Sequence, residues 1–245
     1  YSFEWEKPVM DVLGSRLLMT ILLALFALLF TWVFAIPIGI YSAVNKYSIG
    51  DYTATFFGFL GLAIPDFLIA LIALWFSWSL FGWHVGGLFS PEYGTAPWSI
   101  AKFIDLMKHL WVPVIILGTA GMAAMIRVVR ANLLDELSKP YVVTARAKGI
   151  SEWRLILKYP VRMALNPVIS MSAYLLPYLI SGSVIVSVVL SLPTLGPTLL
   201  KSLLSQDSYL AGGIIFLIGF FTILGTLISD LLLLWIDPRI KFEAR

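Results

Sequence analysis

Several kinds of side chain are scarce or missing in this 245-residue chain. There is no cysteine, which excludes a disulfide framework, a thiol nucleophile and a Cys-ligated metal. Histidine occurs twice, at His84 and His109, without paired ligand spacing, which argues against a metal site. No G-x-x-x-x-G-K-[ST] occurs, so no P-loop binds ATP on this chain, and H-E-x-x-H and G-x-S-x-G are absent too. Charged residues make up only 13% of the chain, about half the ~25% of an ordinary soluble domain. In their place, 60% of residues are hydrophobic and the mean hydropathy is +0.92. A soluble globule needs more polar surface than this to cover its core. The composition excludes an ordinary soluble enzyme, a disordered tail and a nucleic-acid-binding domain, and leaves an integral membrane protein.

A spanning helix needs about 20 predominantly apolar residues, so the gaps between charges mark the spans. They predict an all-α, polytopic transmembrane bundle with five visible spans, near 17–41, 53–80, 110–126, 163–189 and 210–235. The second gap is interrupted only by Asp66, just after Pro65, and the last only by Asp230. A short surface helix is expected between Trp98 and His109, ahead of the third span. No internal repeat or low-complexity tract is visible, and the chain reads as one transmembrane domain, 1–245.

Orientation follows from lysine and arginine. Eight of the 17 basic residues (Arg127, Arg130, Lys139, Arg146, Lys148, Arg154, Lys158 and Arg162) lie in the connection 127–162. Placing it in the cytoplasm puts 12 of 17 basic residues there, with the C-terminus, and leaves Lys7, Arg16, Lys102, Lys108 and Lys201 outside. Residues 1–16 are then outside. They carry no signal-peptide pattern, which predicts a sixth span upstream of Tyr1.

The 127–162 connection is long for a helix–helix loop and is punctuated. Ser138-Lys139-Pro140 predicts a helix start, with Ser138 as cap and Pro140 in the first turn. Gly149 predicts its end in a left-handed turn. Ser151 then caps a second helix with Glu152 in its first turn, and Pro160 bends or ends that helix near Lys158. A structured helix–Gly–helix with a basic face exceeds what a charge-retaining loop requires and suggests a docking element.

Tyr141-Val142-Val143-Thr144-Ala145-Arg146-Ala147-Lys148-Gly149-Ile150-Ser151-Glu152, followed by Arg162, Ala164 and Pro167, resembles the cytoplasmic signature of permease subunits of binding-protein-dependent ABC importers. The similarity is greatest to the dipeptide/oligopeptide branch. Gly149 and Ala145 match the general E-A-A-x-x-x-G pattern, with Val143 and Thr144 in place of its Glu and first Ala. Ser191-Leu192-Pro193-Thr194-Leu195-Gly196 resembles the family's outer turn, and Asp230 with Asp237-Pro238-Arg239-Ile240 its ending. The resemblance implies the type I importer permease fold, with the 141–149 helix as a coupling helix seated on a separate ATPase. It implies a second homologous permease, two ATPase subunits that carry ATP and Mg, an extracellular or periplasmic substrate-binding protein, and a cell (inner) membrane location. Nothing indicates a cofactor or catalytic residue on this chain. Tyr141, Thr144, Ala145, Arg146, Ala147, Lys148, Gly149 and Glu152 become the coupling residues, with Ala145 and Gly149 expected to provide fit and Arg146 and Glu152 to pair with charges on the partner.

Asp66 is a candidate for the translocation pathway because an intramembrane carboxylate is costly, although it can equally cap the helix after Pro65. Ser181, Ser183 and Ser187 are further pathway candidates, since span four lines the path in the family. The expected function is import of peptides. Nickel complexes or oligosaccharides, carried by the same family, remain alternatives. An ion-coupled carrier, a rival from another class, predicts inverted repeats and several intramembrane charges; Asp66 and Asp230 are the candidates and no repeat is seen.

Overall fold

The structure, a computed structural model, describes residues 1–82, 86–174, 177–178 and 183–236. Among these, the regular elements are helical, apart from an isolated antiparallel bridge between Ser2 and Lys7. Three helices are long and apolar enough to cross a membrane. They are α1 (Val9–Val44), α4 (Ile100–Leu137) and α11 (Ser208–Ile236), whose most apolar stretches have mean hydropathies of 2.6, 2.0 and 2.3. These contain the expected first, third and fifth spans.

The expected second span is broken. Helices α2 (Ile49–Ala63) and α3 (Asp66–Phe81) together are apolar enough to span, but they are two separate helices, broken at Ile64–Pro65. Pro65 supplies no backbone donor and pushes the residue before it out of the helical region, so the proline ends one helix and starts the next. The expected fourth span, 163–189, is also not one helix. Its described parts are the end of α7 (Pro160–Ala164), then α8 (Asn166–Ser172) and α9 (Val184–Val189). A charge-free run permits a span but does not make it continuous, and Pro160, Pro167 and Pro177 punctuate this one. Conversely, α4 runs well past the charge-free stretch 110–126. It absorbs the surface helix expected before His109 and carries Arg127 and Arg130 in its last part. Charges there mark the edge of the apolar zone, not the end of the helix. The remaining helices are α5 (Pro140–Ala147), α6 (Glu152–Lys158) and α10 (Leu195–Leu204).

The chain packs as two compact units. One comprises Tyr1–Phe30, Ile64–Gly118 and Leu175–Thr222. Its main core gathers Leu23, Ala27, Leu106, Leu110, Leu117 and Leu190, and a second cluster joins Val12 and Leu13 to Leu195, Leu210 and Ile214. Gly118 is required by close approach: a Cβ there would come within 2.5 Å of the Phe30 ring. Gly118 thus serves close helix packing. A polar strap ties the ends of this unit. The buried Asp207 carboxylate accepts from the Ser2 hydroxyl at 2.5 Å and from the backbone N–H of Glu4 and Leu210 at 3.2 and 3.1 Å. Burial alone pushes this carboxyl up, but the hydrogen bonds from Ser2, Leu210, Glu4 and Phe3 outweigh it and hold it below the ordinary carboxylate range.

The other unit comprises Thr31–Ala63, Thr119–Tyr174 and Ile223–Arg245. One core cluster packs Ala35, Met125, Ile126, Val129 and Val168. Another packs Ala43 and Leu133 against Val142, Leu155, Ile156, Val161 and Ala164. The second cluster anchors the short helices between α4 and α8.

Candidate functional site

The sequence-predicted coupling element is built as α5, a turn at Lys148–Ser151, and α6. Pro140 occupies the first turn of α5, as expected. The cap position belongs to Lys139 rather than Ser138, and no side chain caps it. Ser138 instead turns its hydroxyl back to the Asp135 carbonyl at 2.7 Å, closing the end of α4. Gly149 adopts φ +75 with open space around its missing side chain. Its role is therefore conformational: L-residues enter this left-handed region at a cost of roughly 1–2 kcal/mol, and no neighbour demands a small residue there. Ser151 precedes α6 without a side-chain cap bond. The helix ends at Lys158, and Pro160 opens α7 after a bent Tyr159, as the proline predicts.

Three kinds of contact hold the elbow rigid. Val142 and Leu155 are fully buried, with Ile156 3% exposed, in a cluster that includes Leu133 of α4. Burying a side chain of this size contributes roughly 1.5–3 kcal/mol, so packing is the main anchor. Tyr141 donates its hydroxyl to Glu136 of α4 at 2.6 Å, and Lys139 pairs with the same carboxylate. Across the Gly149 turn, Arg146 makes a bidentate pair with Glu152, at 2.5 and 3.1 Å. The hydrogen bonds and charge of this pair hold Glu152 below the usual carboxylate range and raise Arg146.

This arrangement places the predicted residues unequally. Thr144, Arg146, Ala147, Lys148 and Gly149 lie on the exposed face of the elbow. Tyr141 and Ala145 are partly buried and pack against the core cluster. Arg146 and Glu152, expected to reach for a partner's charges, are engaged with each other and brace the turn. Sequence reasoning passed over three exposed apolar side chains on the same pair of helices, Val143 (58%), Trp153 (65%) and Leu157 (55%). Their signal was present: Trp153 and Leu157 are one turn apart on α6, on the face opposite the buried Leu155.

A second assembly beside the elbow was not foreseen. The Asp51 carboxylate, almost wholly buried, receives two bonds from Arg130 of α4, Nε to Oδ1 and Nη2 to Oδ2, both 2.8 Å. It also accepts from the Tyr47 N–H at 2.9 Å and from the Ser42 hydroxyl. The network ties the end of α1, the start of α2 and α4 together. Arg130 counted in the sequence only as one more basic residue of the loop.

The pathway candidates separate. Asp66 is the first residue of α3 and accepts from the Tyr178 hydroxyl at 3.1 Å. Ser183 and Ser187 are buried at 2% and 1% exposure around the start of α9. Ser181 lies outside the described residues, as do His84 and Asp237 to Ile240. The His109 Nδ1–H donates to the Asp105 carbonyl, 2.9 Å away. Among the described residues no cluster of potential metal ligands forms.

Long apolar helices and a helix–Gly–helix elbow anchored on the ends of α1 and α4 define a polytopic membrane protein. Residues 35–242 match the family of binding-protein-dependent transport system inner membrane components, and the chain belongs to that family. It is 36% identical over 238 residues to the oligopeptide transport system permease protein AppB of Bacillus subtilis, an alignment covering 96% of this chain and 73% of that one. It is 33% identical over 248 residues to the peptidoglycan transport system permease protein YejB of Agrobacterium fabrum, covering 100% and 68%. It is 30% identical over 258 residues to the dipeptide transport system permease protein DppB of Escherichia coli, covering 99% and 76%.

Proposed function

We propose that this chain is the transmembrane subunit of an ATP-driven peptide importer, forming half of the translocation pathway with a second homologous permease. Two separate ATPase subunits drive it, and a substrate-binding protein delivers its cargo from outside. The chain itself catalyses no reaction, and the 127–162 connection and the C-terminus face the cytoplasm. The observation that carries the reading is the elbow. Its exposed face presents Thr144, Ala147 and Lys148, flanked by the apolar side chains of Val143, Trp153 and Leu157. Its buried face is locked into the core that includes α4, α7 and the end of α1. A displacement applied to such a peg by a partner passes into those helices instead of being absorbed by a flexible loop.

The relatives named for oligopeptide and dipeptide transport support peptides as the substrate class. The test is reconstitution of the assembly purified through this chain, with its binding protein, in proteoliposomes. ATP-dependent uptake of labelled di- or oligopeptide is expected. Uptake of nickel complexes or oligosaccharides in place of peptides would replace the substrate assignment. Ion-gradient-driven uptake by this chain without ATPases would overturn the mechanism.

A further inference from the structure

The first unit contains an open cleft of about 570 Å³ that the coupling function does not use. This lies within the 300–1,000 Å³ range of small-molecule sites. Its lining includes Trp5 and Arg16, from the segment whose charge asymmetry places it outside, together with Trp98, Lys102, Thr194 and Lys201. Two features set it apart from an ordinary surface fold.

The first is charge. Three cations converge on the cleft with little compensation. The Arg16 guanidinium lies 4.3 Å and the Lys201 ammonium 4.5 Å from the centre of the Trp5 ring, and Lys102 lies 5.4 Å from that of Trp98. Lys201 pairs with Glu4 at 2.9 Å. Among the described residues, no carboxylate lies within ion-pair distance of Arg16 or Lys102, whose hydrogen bonds go to the carbonyls of Val12 and Ala96. Lys102 is nevertheless only 7% exposed. Gathering like charges on low-dielectric walls focuses a positive potential and favours an anion. The second feature is unmet hydrogen bonding. The indole Nε1 of Trp5 and the hydroxyl of Thr194 are buried without a partner, and Thr194 is 2% exposed. Buried donors of this kind are costly to leave unpaired. The cleft is also fixed in place: the Leu195 N–H donates to the Thr20 hydroxyl at 3.0 Å, and that hydroxyl donates to the Arg16 carbonyl at 2.7 Å.

We propose that this cleft is a binding subsite for a short peptide acid, taking the peptide's terminal carboxylate on Arg16 and Lys102, beside the unpaired Trp5 and Thr194 groups, and an apolar side chain on the indole walls. This deepens the peptide reading and rests on it. A carboxylate supplies the counter-charge that Arg16 and Lys102 lack, the volume exceeds that of a simple ion, and the aromatic surfaces would go unused by one.

The test uses the assembly purified through this chain in nanodiscs, without binding protein. Binding of Ala-Phe, its C-terminal amide, acetate and inorganic phosphate is measured by calorimetry, beside Ala-Phe uptake by the complete system. Ala-Phe should bind, with the amide weakened roughly tenfold or more, as expected for loss of charge-assisted hydrogen bonds. Arg16→Gln and Lys102→Gln should each weaken Ala-Phe by a similar factor and leave the amide unchanged. Acetate or phosphate binding as tightly as Ala-Phe would overturn the proposal, leaving an unselective anion site. Equal binding of acid and amide to the unmodified assembly would overturn it without reliance on any variant. Uptake of Ala-Phe without acid-selective binding refutes the cleft alone; absence of uptake refutes the peptide reading.

Discussion

Replacing Asp51 with alanine should destabilise the unit that carries the α5–α6 elbow more than any exposed substitution in it. The Asp51 side chain is 3% exposed and its Arg130 partner 26%. The mutation removes one carboxylate and the four hydrogen bonds it accepts, two from Arg130 and one each from the Tyr47 N–H and the Ser42 hydroxyl, leaving Arg130 only its 3.1 Å bond from Nε to the Ser42 oxygen. Removing one partner of a fully buried pair costs about 3–5 kcal/mol. Arg130 keeps some access to water, which lowers the expected cost to roughly 2–4 kcal/mol. At about 2–4 °C per kcal/mol for a chain of this size, the melting temperature should fall by roughly 5–15 °C. The assay is thermal unfolding of the detergent-purified protein followed by near-UV circular dichroism. The double variant Asp51→Ala/Arg130→Met completes the cycle. Because it removes both charges, it should recover at least half of the loss. A single variant melting within 1 °C of the parent, or a double variant showing the full sum of the two single losses, would refute the claim that this pair is a structural clamp.

Other expectations follow from the elbow and the strap. Gly149→Val forces a β-branched residue to φ +75 and should abolish transport-stimulated ATP hydrolysis, whereas Gly149→Asn, which tolerates this region, should retain most of it; equal stimulation in both would remove the conformational role. Arg146→Glu should impair coupling, and the swap Arg146→Glu/Glu152→Arg should restore it, since the two residues brace each other; a swap as defective as the single variant would mean that Arg146 meets a partner's charge after all. Asp207 contributes stability above the ordinary carboxylate range, because its folded carboxyl is held low, and loses it as pH falls through that lowered range. Hydrogen-exchange protection of the Glu4 and Leu210 amides, corrected for intrinsic rate, should therefore drop on acidification in the parent and start low in Asp207→Asn; protection unchanged between neutral and acid pH would contradict the strap.

The local punctuation of the chain was legible wherever a single residue dictates backbone geometry. Pro140, Gly149 and Pro160 placed the starts and ends of α5, α6 and α7 to within a residue or two, because a fixed φ, a left-handed turn and a missing donor act without reference to the rest of the fold. The helix–Gly–helix shape of the 140–158 segment was legible for the same reason: the residues that set it are contiguous. Charge gaps located the apolar zones but not helix continuity. Pro65 broke one expected span and the prolines from 160 to 177 another, while α4 extended through Lys102, Asp105, Arg127 and Arg130. What remained hidden depends on residues brought together from far apart. Asp51 and Arg130 are separated by 79 positions, Asp66 and Tyr178 by 112, and Ser2 and Asp207 by 205. Neither composition nor periodicity carries a signal for such pairs. Arg146 and Glu152 illustrate the nearer case: six residues apart, they meet because the Gly149 turn folds one helix back on the other.

The central claim is that the exposed face of α5 and α6 seats a separate ATPase. Its most direct test is a photo-crosslinking residue placed at Ala147, irradiated in native membranes and followed by mass spectrometry of the adduct. The account predicts one dominant adduct with a P-loop-containing chain, its yield changing between nucleotide-free and ATP-bound states, and none from a control position such as Ile223 in α11. No nucleotide-binding chain at Ala147, with the assembly otherwise intact, would contradict it.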